Sequence, residues 1–164
     1  MPSALSSVFP AGLTLTSNHG MKTNLILVVD ADADTVGAVL EAAARTGHGV
    51  NQARTSRQAF EVLKNELRHL DAVIVDVDPG AHGLALLEAV SGCHHKPPLL
   101  VLSGLEDAYM KTIASKHGAA ACLCKPFSIE QLHSVLKRVL ANALPRAEFS
   151  WCDKWGHPCQ HAMT

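Results

Sequence analysis

Four short apolar runs, each about one strand long and each closing on a polar residue, set the tightest limit on how this chain can fold. Leu25-Ile-Leu-Val-Val29 leads to Asp30, and Asp71-Ala-Val-Ile-Val-Asp76 carries a second carboxylate at its end. Leu99-Leu-Val-Leu102 leads to Ser103, and Ala119-Ala-Ala-Cys-Leu-Cys124 to Lys125. Between the runs the apolar spacing becomes helical. Val36, Val39, Leu40 and Ala43 share a face that ends at Gly47, a residue suited to the left-handed position after a helix. A weaker strand covers Val50 to Ala53. Ser56 then serves as the N-cap of a helix carrying Phe60, Leu63 and Leu67 on one side. After the Pro79-Gly80 turn, a helix from Gly83 or Leu84 carries Leu84, Leu87 and Val90. Another runs from about Glu106 to Lys116 and stops at Gly118. Ser128 and Gln131 form a capping box ahead of Ile129, Leu132, Val135, Leu136 and Val139. Continuous apolar strands alternating with amphipathic helices predict α/β architecture, a parallel sheet covered on both faces.

Length and composition agree with one such domain. The chain has 164 residues, of which 48% are hydrophobic, enough for a core, but only 4% aromatic, so that core must be aliphatic. Fourteen basic and fifteen acidic side chains give a net charge of −1. There is no basic excess for nucleic acid to reward, so nucleic acid is not expected as a partner. No apolar run approaches the ~20 residues that span a bilayer. The five cysteines are odd in number, and Cys122 and Cys124 fall in one core strand, which fits a reducing cytoplasm better than a secreted disulfide framework. Residues 1–22 read as a disordered N-terminal arm, 23–143 as the α/β domain and 144–164 as a C-terminal tail.

Right-handed crossovers would assemble five strand–helix units into an open doubly wound sheet, in which ligands bind beyond the carboxyl ends of the strands. Asp30, Asp76, Ser103 and Lys125 all fall at those ends. Two acids, a hydroxyl and an ammonium suit phosphoryl transfer onto a carboxylate. One Asp is the nucleophile, a divalent cation held by acids neutralises the oxygens, and the lysine pairs with developing charge.

On these residues the chain resembles the receiver domain of bacterial two-component response regulators. Val28-Val-Asp30, Asp71-Ala-Val-Ile-Val-Asp76, Leu102-Ser-Gly104 and Lys125-Pro-Phe127 carry the resemblance, which runs from about Asn24 to Leu140. It implies a single flavodoxin-like (βα)5 domain, CheY-like, with strand order 2-1-3-4-5. It implies Asp76 as phosphoacceptor, Asp30 in an acidic Mg²⁺ pocket, Ser103 as signalling hydroxyl, Lys125 as the phosphoryl-binding lysine, and a cis bond before Pro126. The expected partners are a histidine kinase or phosphotransfer protein and a downstream protein target. Whether the chain forms a homodimer through the fourth and fifth helices is left open by the sequence. No effector domain fits in the remaining residues, so a stand-alone regulator signalling by protein contact is expected, with no catalytic activity of its own.

Three departures matter. The family usually carries two adjacent acids after the first strand, whereas this chain reads Asp30-Ala31-Asp32. Ala31 cannot hold a metal, so Mg²⁺ binding should be weak. Asp32 either substitutes through a shifted loop or caps the next helix, with or instead of Asp34. The loop after Asp76 is one residue short, with Pro79 three positions on. Cys122 occupies the switch position where an aromatic ring is customary. These departures support an alternative, a pseudo-receiver that binds protein without phosphorylation. A third reading, metal binding, rests on Cys152, His157, Cys159 and His161 of the tail, a soft-ligand set whose spacing is not that of a zinc finger. Met110, Tyr109 and Ile113, with Ala119 and Ala120, form either a partner surface or core.

Overall fold

The computed structural model describes residues 7–8, 24–77, 83–93, 96–104, 108–141 and 150–152. In chain order these form β1 (Ser7–Val8), β2 (Leu25–Val29), α1 (Ala33–Arg45), β3 (Gly49–Ala53), α2 (Ser56–Glu66), β4 (Leu70–Asp76), α3 (Gly83–Ser91), β5 (Leu99–Ser103), α4 (Ala108–Lys116), β6 (Ala121–Cys124), α5 (Ile129–Leu140) and β7 (Ser150–Cys152). A short 3-10 turn, Leu67–His69, links α2 to β4. The five parallel core strands lie in the order β3-β2-β4-β5-β6, which is the expected 2-1-3-4-5 flavodoxin-like arrangement.

The core strands are buried on both faces, which is why their sequences read as unbroken apolar runs. Leu27, Val29, Val73, Val75, Val101 and Cys122 pack against α2, α3 and α4. Ile26, Val28, Ile74, Leu100, Leu102 and Leu123 pack against α1 and α5. Alternate residues of one strand therefore feed two separate aliphatic layers. Among the described residues no helix is long and apolar enough to cross a membrane.

The helix boundaries follow local chemistry. Ser128 accepts from the backbone N–H of Gln131 while the Gln131 side chain accepts from Ser128 N, closing the expected capping box of α5. Gly47 and Gly118 hold φ of +76° and +68° just past α1 and α4, a conformation that favours glycine.

Several assignments shift. Thr55, not Ser56, caps α2, because its hydroxyl accepts from Gln58 N. The buried face of α2 is Ala59, Val62 and Leu63, and Phe60 is 40% exposed. Likewise α3 buries Leu86, Leu87 and Val90 and leaves Leu84 37% exposed. Met110 and Ala119 are core, with Ile113 packed against them, so most of the alternative partner surface on α4 is interior. A further short strand lies at each edge of the sheet. Ser7–Val8 pairs antiparallel with β3, and Ser150–Cys152 pairs parallel with β6. Runs of two and three residues carry no periodicity for a sequence reading to detect.

Leu136 is fully buried between α5 and the sheet. Leu136→Ala should lower unfolding free energy by about 2–5 kcal/mol in urea titration. Phe60→Ala, on the exposed side of α2, should change it by less than ~1 kcal/mol. The opposite ranking would restore Phe60 to the core.

Candidate functional site

Each of the four strand tips is delivered by its neighbours. Asp30 directly follows β2 and is fixed from both sides: its N–H donates to Ala53 O at 3.1 Å, and its carbonyl accepts from Gln52 Nε2 at 3.2 Å. Its Oδ1 accepts the Asp32 N–H at 2.8 Å. The other oxygen, Oδ2, is buried, makes no hydrogen bond among the described residues, and lies 3.5 Å from Lys125 Nζ. Asp76 ends β4 in parallel register with Leu102. Beyond it, Val77 N donates to Leu102 O at 3.0 Å, so pairing continues past the tip.

Lys125 follows β6 directly. Its N–H donates to Ser103 O at 2.8 Å, tying the ends of β5 and β6 together. Its ammonium reaches Asp76 Oδ2 at 3.0 Å as well as Asp30 Oδ2. Both acids are over nine-tenths buried, and Ser103 is completely so. The fold thus brings Asp30, Asp76 and Lys125 into one ionic cluster at the carboxyl edge of the sheet, with Ser103 at the adjoining tip. The Lys125–Pro126 bond is cis.

Asp32 caps α1 through one of its two carboxylate oxygens. Its Oδ2 accepts from Thr35 N at 3.0 Å and from Thr35 Oγ1 at 2.7 Å, opening α1. The side-chain hydrogen bond from Thr35, then that residue's N–H, holds the Asp32 carboxyl below the usual aspartate value. The Lys125 ammonium also lowers it, so this carboxyl senses the ionic cluster as well as the helix. Asp32 followed by Thr35 has the spacing of an N-cap and its N3 partner, so the signal was present but did not exclude the shifted-loop alternative.

A sequence reading missed the close packing of Gly83. A Cβ there would overlap the backbone carbonyl of Asp76, so α3 can start against the end of β4 only because residue 83 lacks a side chain. A helix start read from periodicity carries no information about that contact.

Mg²⁺ takes near-octahedral oxygen ligands, is usually held by one or two carboxylates, and keeps several waters. The buried, unbonded Asp30 Oδ2 beside Asp76 fits that sparse pattern. Among the described residues no three His, Cys, Asp or Glu side chains converge as a metal site. Cys122 is fully buried in the layer with Met110 and Ala114, so no ring occupies that position. Of the tail set, Cys152 lies in β7, while His157, Cys159 and His161 fall outside the described residues. An apolar groove of about 460 Å³, lined by Phe60, Leu63, Leu67 and Val90 among others, opens between α2 and α3. Its lining comes from the end of α2, the turn before β4 and the end of α3, so it lies towards the amino ends of the strands and away from the ionic cluster.

Residues 26–137 match the family described as the response regulator receiver domain. The chain is 32% identical over 119 residues to the two-component response regulator ARR10 of Arabidopsis thaliana, covering 72% of this chain and 21% of that protein. It is 28% identical over 116 residues to the transcriptional regulatory protein BasR of Escherichia coli, covering 70% of this chain and 51% of BasR. The chain therefore spans between a fifth and about half of these relatives. A solved response regulator from Thermotoga maritima superposes with a TM-score of 0.65 at 29% identity, over 73% of this chain and 98% of that one. The chemotaxis response regulator CheY4 of Vibrio cholerae superposes with a TM-score of 0.63 at 27% identity, over 71% and 98%.

Two outcomes follow from this geometry. Lys125→Met removes the ammonium from two buried carboxylates, and should cost about 3–5 kcal/mol of stability without Mg²⁺. Millimolar Mg²⁺ should return part of that loss, measured as urea midpoints with and without the ion. Because the Asp32 carboxyl is depressed in the folded state, its contribution is present above the unfolded value of 3.8 and is lost as pH falls through the lower folded value. The urea midpoint of Asp32→Ala should therefore lie below that of the parent at neutral pH, and the gap should narrow on acidification through that window.

Proposed function

This chain belongs to the response regulator receiver domain family, and from that membership we propose that it accepts a phosphoryl group on Asp76 from a histidine kinase or phosphotransfer protein. The observation that supports this most is the Lys125 ammonium poised on both Asp76 and Asp30, at 3.0 and 3.5 Å. A carboxylate oxygen of Asp76 attacks phosphorus, the bond from phosphorus to the donor imidazole breaks, and the electron pair leaves with that imidazole. Lys125 then transfers its pairing from the carboxylates to the phosphoryl oxygens. Bound Mg²⁺, held by Asp30 Oδ2 and Asp76, would neutralise charge on those oxygens. Most of the rate comes from positioning, which the buried strand ends supply.

Ser103, buried at the end of β5, is the hydroxyl proposed to donate to a phosphoryl oxygen. Since that bond exists only in the modified chain, it shifts the balance between two states of the face that signals. With Cys122 in the switch position, the change passes without a rotating ring, and the output is contact of the α4, β6 and α5 face with a downstream protein. The chemistry is performed on the chain's own side chain, so the role is signalling rather than turnover of a separate substrate. Free thiols at Cys122 and Cys124 suit a reducing cytoplasm.

One observation favours the pseudo-receiver reading instead. Ala31 offers no oxygen and the Asp32 capping oxygen is committed to Thr35, which leaves the metal fewer protein ligands.

Intact mass after incubation with acetyl phosphate and Mg²⁺ separates the two. The parent should gain one phosphoryl group and Asp76→Asn none. No gain on the parent at any Mg²⁺ concentration would make the pseudo-receiver the better account, and equal gain on Asp76→Asn would remove Asp76 from the acceptor role.

A further inference from the structure

Regular pairing between β2 and β3 stops one bond short of the Asp30 carbonyl. Val29 pairs with Ala53 in parallel register, and the Asp30 N–H donates to Ala53 O at 3.1 Å. The next bond of a parallel ladder would bring the N–H of Thr55 to the carbonyl of Asp30. Thr55 instead caps α2, and β3 ends at Ala53. The carbonyl that the ladder would have served accepts from the Gln52 side chain, with Nε2 at 3.2 Å. A second glutamine closes the same strand end differently. Gln58 Oε1 accepts from Arg54 N at 2.8 Å, a bond that serves the entry to α2 rather than Asp30.

The Gln52 bond fixes the peptide that joins Asp30 to Ala31. That peptide lies inside the turn in which Asp30 Oδ1 accepts the Asp32 N–H at 2.8 Å, a ring formed by an aspartate and the backbone two residues on. With Oδ1 engaged there and Oδ2 3.5 Å from Lys125 Nζ, the carboxylate has one oxygen to offer a cation, in one direction. Mg²⁺ demands near-ideal octahedral geometry, so the direction of each protein oxygen counts. It counts more here because Ala31 contributes none. Groups that orient a metal ligand from outside the coordination sphere typically change affinity by about 10–100-fold when removed.

We propose that Gln52 is a positioning residue of the Asp30, Asp76 and Lys125 pocket. Its amide holds the Asp30–Ala31 peptide so that Asp30 Oδ2 meets a divalent cation, which offsets the acid missing at position 31. The hold on the turn stands on the hydrogen bonds alone; its effect on the cation rests on the phosphoryl-acceptor reading above.

Two variants remove the bond without adding charge. Gln52→Met keeps the length of the side chain and loses the donor, and Gln52→Asn keeps the amide but is one methylene too short to reach. Gln58→Met, which loses a hydrogen bond at the same strand end, is the control. By NMR on the full chain without metal, the Asp32 N–H should exchange about tenfold faster in both Gln52 variants. The Asp30 N–H should keep the parent rate in both, and the Asp32 N–H should keep it in Gln58→Met. In calorimetric titration the Mg²⁺ dissociation constant should rise about tenfold in the Gln52 variants and stay at the parent value in Gln58→Met. Parent-like exchange at Asp32 in both Gln52 variants overturns the hold on the turn. Faster exchange with unchanged Mg²⁺ affinity overturns the positioning role. Equal weakening in Gln58→Met, or failure of both Gln52 variants to fold, overturns it too, because the amide would then serve the fold as a whole. A parent chain that binds no Mg²⁺ and takes no phosphoryl group from acetyl phosphate overturns the phosphoryl-acceptor reading and the positioning role with it, and leaves the exchange result on the turn intact.

Discussion

The Lys125 ammonium stands between two carboxylates that the sheet drives together, and the arrangement of the whole carboxyl edge depends on it. Asp30 and Asp76 follow or end adjacent parallel strands, so register alone brings two buried acids to one edge. At 3.0 Å and an effective dielectric of ~20, one such contact is worth about 5 kcal/mol of gross attraction, most of it offset by taking the charges out of water. The cluster is thus an expensive way to add stability and an effective way to hold a site ready. An incoming group that carries negative charge can take over the ammonium without building a new pocket.

The core beneath that cluster is largely aliphatic. Two layers, one on each face of the strands, leave the tips no freedom to drift, and backbone bonds from Val77 to Leu102 and from Lys125 to Ser103 extend the sheet's order to its last residue. Gly83 completes the enclosure by letting α3 start directly against Asp76. Local capping supplies the remainder: Asp30 and Asp32 share one short turn, in which Asp30 accepts from the backbone of Asp32 and Asp32 in turn opens α1 through Thr35.

Much of this was legible in the residues. Buried parallel strands announce themselves as unbroken apolar runs, and the doubly wound topology sends their ends to one edge, so Asp30, Asp76, Ser103 and Lys125 could be grouped before any coordinates. The helix faces were less legible. Phe60 and Leu84 satisfy a helical period, but which side of a short helix meets the sheet is decided by the crossing path, and Ala59 and Leu86 took those places. Thr55 and Ser56 are both competent caps, and only backbone geometry separates them. The two edge strands were invisible because their pairing is long-range and their length is below any period. Asp32 had two chemically sound roles, of which the structure displays the cap.

The central claim is that Asp76, Asp30 and Lys125 form one phosphoryl-binding pocket despite Ala31. A crystal structure of the full chain with Mg²⁺ and beryllofluoride tests it most directly. The account predicts the beryllium on an Asp76 carboxylate oxygen, Lys125 Nζ within hydrogen-bond distance of a fluoride, and Asp30 Oδ2 turned to the metal. A pocket without the mimic under saturating Mg²⁺, with Lys125 still bridging the two acids, would contradict it.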